Sequence, residues 1–176
     1  STSEHTTSEV HFFSKDEKSP KPKIFLKREN EIEYSLDSWN GYFWIHTNKR
    51  AKDFKICRCK NENIEKWEEY IPAKEEILIG SFFLLNNWMI RAEIVDALPK
   101  LFVRNLKTNK EEELIISSEE VISPGISLKQ KDRNTDVIRI GYESPRTPSR
   151  VYEYNIITKE KKLVKELEIP SGYDRE

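Results

Sequence analysis

Cys57-Arg58-Cys59 places two thiols two residues apart, and on a strand residues i and i+2 project from the same face. Two thiolates so placed could begin a soft-metal site. A closed site needs about four ligands, and no further cysteine or well-placed histidine completes one. A disulfide between such close strand neighbours would be strained. The pair therefore reads as two reduced thiols, with no metal and no cofactor. His5 and His11 lie in a polar N-terminal stretch, and His46 lies inside an apolar strand, where a packed or solvent-facing ring is expected. The five glycines (Gly41, Gly80, Gly125, Gly141 and Gly172) never flank a serine as Gly-x-Ser-x-Gly, the spacing of a nucleophile elbow. No catalytic residue is assigned in this sequence.

The elements that carry these residues are short strands. Glu33–Asp37, Tyr42–His46, Phe54–Arg58 and Trp67–Pro72 are rich in aromatic and β-branched residues and are separated by turns such as Asn40-Gly41. A second set follows at Leu78–Phe83, Trp88–Ala92, Leu101–Asn105 and Glu113–Ile116, and a third at Gly125–Leu128, Val137–Ile140, Val151–Asn155 and Lys162–Val164. The second strands of the sets start at Tyr42, Trp88 and Val137, spaced by 46 and 49 residues. A four-strand unit repeating at roughly 40–50 residues is the period of a β-propeller blade. A β-sandwich does not impose a four-strand period. In Tyr42-Phe43-Trp44-Ile45 both faces are apolar, as a blade packed on either side requires.

The predicted fold is all-β: a partial β-propeller of about three four-stranded antiparallel blades, with strands of a preceding blade. Residues 1–30 form a polar lead with outer strands of an incomplete blade at Val10–Phe13 and Lys23–Leu26, and blades span about 31–73, 74–117 and 118–167. Inner strands are expected near Glu33, Leu78 and Gly125, and polar outermost strands near Trp67, Glu113 and Lys162. One helical turn is expected between Glu62 and Glu69. The apolar face around Tyr34, Leu36, Phe43 and Ile45 should meet a preceding blade, and the face around Ile126, Leu128 and Ile138 a following blade or the first blade of a ring.

Lysine plus arginine (30) nearly balances aspartate plus glutamate (31), so no field points to nucleic acid or a membrane. Lys159-Glu160-Lys161-Lys162 is a basic run broken by an acid, as on a solvated rim. No apolar run approaches the roughly 18–20 residues of a membrane span. Ser1-Thr2-Ser3-Glu4-His5 has neither part of a secretory signal, and with reduced thiols a cytoplasmic location is expected.

The chain also resembles a family in order along its length. Glu33-Tyr34-Ser35-Leu36-Asp37 leads into an aromatic strand. Asn48 precedes Lys52-Asp53-Phe54, and Trp67-Glu68 is followed by Ile71-Pro72. Farther on come Arg139-Ile140-Gly141-Tyr142-Glu143-Ser144 with Thr147-Pro148, then Ile169-Pro170-Ser171-Gly172-Tyr173-Asp174. Together these resemble the prolyl oligopeptidase family of serine peptidases, in its oligopeptidase B (protease II) branch. The resemblance implies a seven-bladed propeller capping an α/β-hydrolase domain. This chain would supply the last part of the propeller, with residues 168–176 starting the hinge at Pro170, Gly172, Tyr173 and Asp174. It also implies short peptides cut after Arg or Lys as substrates of the whole, and the remaining blades and hydrolase domain as partners. Alone, the chain should be inactive. The alternative is a stand-alone, non-catalytic interaction module or the remnant of a split gene.

Overall fold

Every strand pairs with a neighbour in sequence. The computed structural model describes residues 10–12, 23–26, 29–115, 125–126, 133–144 and 147–166. Among these it has fourteen strands and no helix. β1 (Val10–Phe12) and β2 (Lys23–Leu26) form a two-stranded sheet. β3 (Tyr34–Trp39), β4 (Tyr42–Thr47), β5 (Lys55–Lys60) and β6 (Glu68–Ile71) form the first four-stranded meander. β7 (Ile77–Leu85), β8 (Trp88–Val95), β9 (Leu98–Asn105) and β10 (Glu111–Glu113) form the second. β11 (Gly125–Ile126), β12 (Val137–Ser144), β13 (Thr147–Asn155) and β14 (Lys161–Glu166) form the third. The all-β architecture and the four-strand period are those the sequence predicts. The helical turn expected at 62–69 is not there: Asn63 N–H bonds to Lys60 C=O and Lys66 N–H to Asn63 C=O, giving two successive turns instead.

The same end of each meander is closed in the same way. The first N–H after the third strand donates to the carbonyl just before the second strand: Asn61 to Gly41 (3.0 Å), Leu106 to Asn87 (2.8 Å) and Ile156 to Asp136 (2.9 Å). In the second and third sheets the following turn is also shared. Asn105 Oδ1 accepts from Lys107 and Thr108 N–H, and Asn155 Oδ1 from Ile157 and Thr158 N–H. Asn109 and Lys159 then take left-handed φ values of 57° and 64°. An asparagine side chain that caps its own turn is the reason for Asn at both positions.

Hairpin turns show where side chains strain the backbone. Asn40 and Gly41 (φ 51° and 77°) suit the left-handed pair of a two-residue hairpin. Asp96 and Ala97 adopt the same region, with φ of 51° and 63°, and alanine pays the Cβ clash that glycine avoids. Ala97→Gly is therefore expected to stabilise the protein by about 1 kcal/mol. A urea midpoint that falls on this substitution would contradict that reading.

The chain divides into two compact units, Ser1–Ser81 and Phe82–Glu176. In the first, one face of the β3–β6 sheet gathers Tyr34, Ile45, Cys57 and Cys59, with Leu36, Phe43 and Trp67 against them. Trp44, His46, Ile56 and Arg58 fall on the other face by alternation. The outer strand β6 was expected to be polar, yet Tyr70 and Ile71 are both buried. The cause is a bulge: Ile56 pairs with Ile71 and Cys57 with Glu69, leaving Tyr70 as the extra residue. β10, by contrast, is three exposed glutamates.

In the second unit, Leu85, Ile90, Leu101, Val103 and Leu114 of the second sheet pack against Ile138, Ile140 and Ile156 of the third. This corrects the expectation for Ile138, whose face does not wait for a following blade. Arg139, between the two isoleucines, points the other way and pairs with Glu153 at 3.0 Å. Leu128 lies outside the described residues. Asp136 Oδ1 joins the two sheets further, accepting from Trp88 Nε1 (2.8 Å) and Asn86 Nδ2 (2.7 Å).

The second sheet's other face buries charge. Arg91 and Glu93 are each 1% exposed and bonded at 2.8 Å, and Arg91 also donates to Glu111 on β10 at 2.9 Å. Its guanidinium lies 5.0 Å from the Phe102 ring, the cross-strand neighbour of Arg91.

Candidate functional site

Cys57 and Cys59 are free thiols, both buried on the Ile45 face of the first sheet. Burial pushes both thiols above their ordinary pKa, so they stay protonated near neutral pH and are poor nucleophiles and metal ligands. Among the described residues no group of three or more His, Cys, Asp or Glu side chains is placed to hold a metal ion.

His46 is fixed rather than poised for catalysis. Its ring stacks on Phe54 with centroids 4.6 Å apart and planes 12° from parallel. Nε2 sits 2.7 Å from the Ile79 carbonyl, which can only accept, so Nε2 carries a proton. Ile79 N–H in turn donates to Asp53 C=O at 2.9 Å, so the ring ties the start of β7 to the segment before β5. Burial holds the imidazole below its ordinary pKa, opposed by the Ile79 hydrogen bond and the Glu33 charge. As pH falls, the unfolded chain takes up this proton before the folded one does. The stabilisation is therefore complete above about pH 6.5, the unfolded value, and is lost as pH falls through the lower folded value. His46→Gln, which keeps a donor and does not titrate, is expected to flatten that part of the stability–pH curve. Equal slopes in urea titrations of both proteins below neutral pH would refute the assignment.

A cleft lies at the end of the first four-stranded sheet where β4 begins and β5 finishes. Its volume is about 320 Å³, and Tyr42, Arg58, Cys59, Lys60, Asn63, Lys66, Trp67 and Glu68 line it. Arg58 is the organising residue. Its guanidinium lies 4.9 Å from the Tyr42 ring, 5.6 Å from Trp44 and 4.5 Å from Tyr70, and it grips Glu68 through Nε (3.0 Å) and NH2 (3.2 Å). Trp67 is held by its Nε1 donating to Ile64 C=O (2.9 Å) and by an edge contact with Tyr34. No motif announced this cleft. Its residues come from three strands and a loop that only the β4–β5–β6 register and the turns after Lys60 bring together.

Residues 1–167 match the family described as prolyl oligopeptidase, N-terminal beta-propeller domain. The chain belongs to this family. Relatives of this propeller include dipeptidyl aminopeptidase BI of Pseudoxanthomonas mexicana, 28% identical over 86% of the chain and 21% of that protein. Protease 2 of Moraxella lacunata is 24% identical over 99% of the chain and 25% of that protein. In fold, the propeller resembles oligopeptidase B from Trypanosoma brucei, solved with covalently bound antipain in a closed form. That likeness has a TM-score of 0.85 at 22% identity and covers 96% of this chain and 25% of that one. Oligopeptidase B from Leishmania major gives a TM-score of 0.84 at 18% identity, over 96% and 25% of the two chains. The chain thus spans about a quarter of the length of the relatives it matches. In this prolyl oligopeptidase propeller Pro170, Gly172, Tyr173 and Asp174, expected from the sequence to begin a hinge, lie outside the described residues.

Proposed function

We propose that this chain is the part of a serine oligopeptidase that roofs its active site, and that the whole enzyme cuts short peptides after Arg or Lys. The observation that carries the reading is the family match over residues 1–167, on a chain whose strands form successive four-stranded meanders. In this role the propeller contributes no reacting group. A hydrolase site reached only through a narrow passage admits extended peptides and excludes folded proteins, so blades act as a size filter. The remaining blades and the hydrolase domain are its partners, covering the sheet edges that a ring of blades protects. Near-equal numbers of basic and acidic residues favour neither nucleic acid nor a membrane as partner. Two buried, unbridged thiols fit the reducing cytoplasm.

The test uses the complete polypeptide that carries this sequence, with a ladder of peptides each holding one Arg or Lys, and a folded protein bearing the same site in an exposed loop. Cleavage after the basic residue in the short peptides, with the folded protein spared, is expected. Cleavage after other residues would overturn the specificity, and equal rates on the folded protein would overturn the filter. The 176-residue chain by itself should show no turnover and no labelling by a serine-directed phosphonate.

A further inference from the structure

We propose that the cleft beside Arg58 binds a small carboxylate with a flat apolar body, such as an aromatic acid or the C-terminal aromatic residue of a peptide. Three observations support it, none of which depends on the peptidase reading. First, the lining charge is one-sided and unsatisfied. Glu68 is taken up by Arg58, while the Lys60 and Lys66 ammoniums and the Asn63 amide have no hydrogen-bonding or ionic partner among the described residues. Elsewhere in the same unit Lys49 holds Glu29 and Lys55 holds Glu69. An incoming carboxylate would find three uncommitted donor side chains lining one cavity.

Second, the apolar walls are fixed before anything binds. Tyr42 is held under the Arg58 guanidinium, and Trp67 is locked by the Ile64 carbonyl and the Tyr34 ring. Preset walls spare a ligand the cost of ordering them. Third, the size selects. About 320 Å³ is at the small end of the roughly 300–1,000 Å³ typical of ligand pockets, enough for one ring with its acid group. A bare inorganic anion would leave the aromatic walls unused, and an uncharged ring would leave both ammoniums unused.

The experiment is calorimetric titration of the intact chain with four probes: N-acetylphenylalanine, its C-terminal amide, a tetrapeptide ending in free phenylalanine, and inorganic phosphate. The acid or the peptide should bind, with the amide and phosphate about tenfold weaker, the scale of a charge-assisted hydrogen bond. The double variant Lys60→Gln/Lys66→Gln should lose about tenfold for the acids while its melting temperature stays unchanged, since both residues are exposed. Tighter binding of the peptide identifies a polypeptide end as the natural source, and tighter binding of the single amino acid a free aromatic acid. No heat at millimolar probe, equal affinity for acid and amide, phosphate as tight as the acid, or an unaltered double variant would each overturn the proposal.

Discussion

Replacing Arg91 with alanine is expected to destabilise the protein by about 3–5 kcal/mol, the cost of stranding a buried charge. Glu93 is 1% exposed, bonded to Arg91 at 2.7 Å, and Glu111 reaches the same guanidinium from β10. Without Arg91, the Glu93 carboxylate is left as an uncompensated buried charge. The guanidinium also covers the Phe102 ring, so the substitution removes packing as well as charge. The double replacement Arg91→Met/Glu93→Leu removes both charges with similar volume and is expected to recover most of the loss. Urea unfolding of the two variants separates the contributions. A loss below about 1 kcal/mol for Arg91→Ala would mean that the pair is hydrated in solution.

The second large effect belongs to Trp44, for which alanine is expected to cost about 3–5 kcal/mol. Trp44 is 1% exposed, packs edge-on against Tyr70 with centroids 5.0 Å apart, and donates from Nε1 to Trp39 C=O at 3.3 Å. It is also one of the three rings around Arg58, so its loss should loosen the cleft. Trp44→Phe should recover part of the packing without the hydrogen bond, placing it between wild type and alanine. If alanine and phenylalanine prove equally harmful in thermal unfolding, the indole N–H rather than the ring volume sets the stability.

Strand spacing was legible because a side-chain period of two and a turn residue every few positions survive in any one sequence. Tyr42, Trp88 and Val137 do begin the second strand of each sheet. The alternation in Tyr42-Phe43-Trp44-Ile45 likewise reported a strand with apolar residues on both faces. What stayed hidden depends on partners distant in sequence. Alternation along Met89-Ile90-Arg91-Ala92-Glu93 puts both charges on one face, and the approach of Glu111, twenty residues on, completes the pairing that lets Arg91 be buried. The extra residue that turns Tyr70 inward cannot be read from β6 itself, because a bulge is a property of two strands in register. The direction in which Ile138 faces was misjudged for a related reason. Alternation separates Ile138 from Arg139 but does not say which side the next sheet occupies. The cleft was invisible because no spacing rule links Tyr42 to Lys66.

The strict neighbour pairing of the strands has a consequence for how the protein is made. Each meander is complete once its fourth strand leaves the ribosome, with no partner to await from farther along. Contacts so close in sequence form quickly, because little loop entropy precedes their reward. The first sheet, which ends at Ile71, can therefore assemble as soon as that residue emerges, without waiting for the strand that starts at Ile77, and the caps at Asn105 and Asn155 then close their hairpins as they emerge. Synthesis delivers the molecule one sheet at a time, and the second sheet offers a finished surface on which the third can condense.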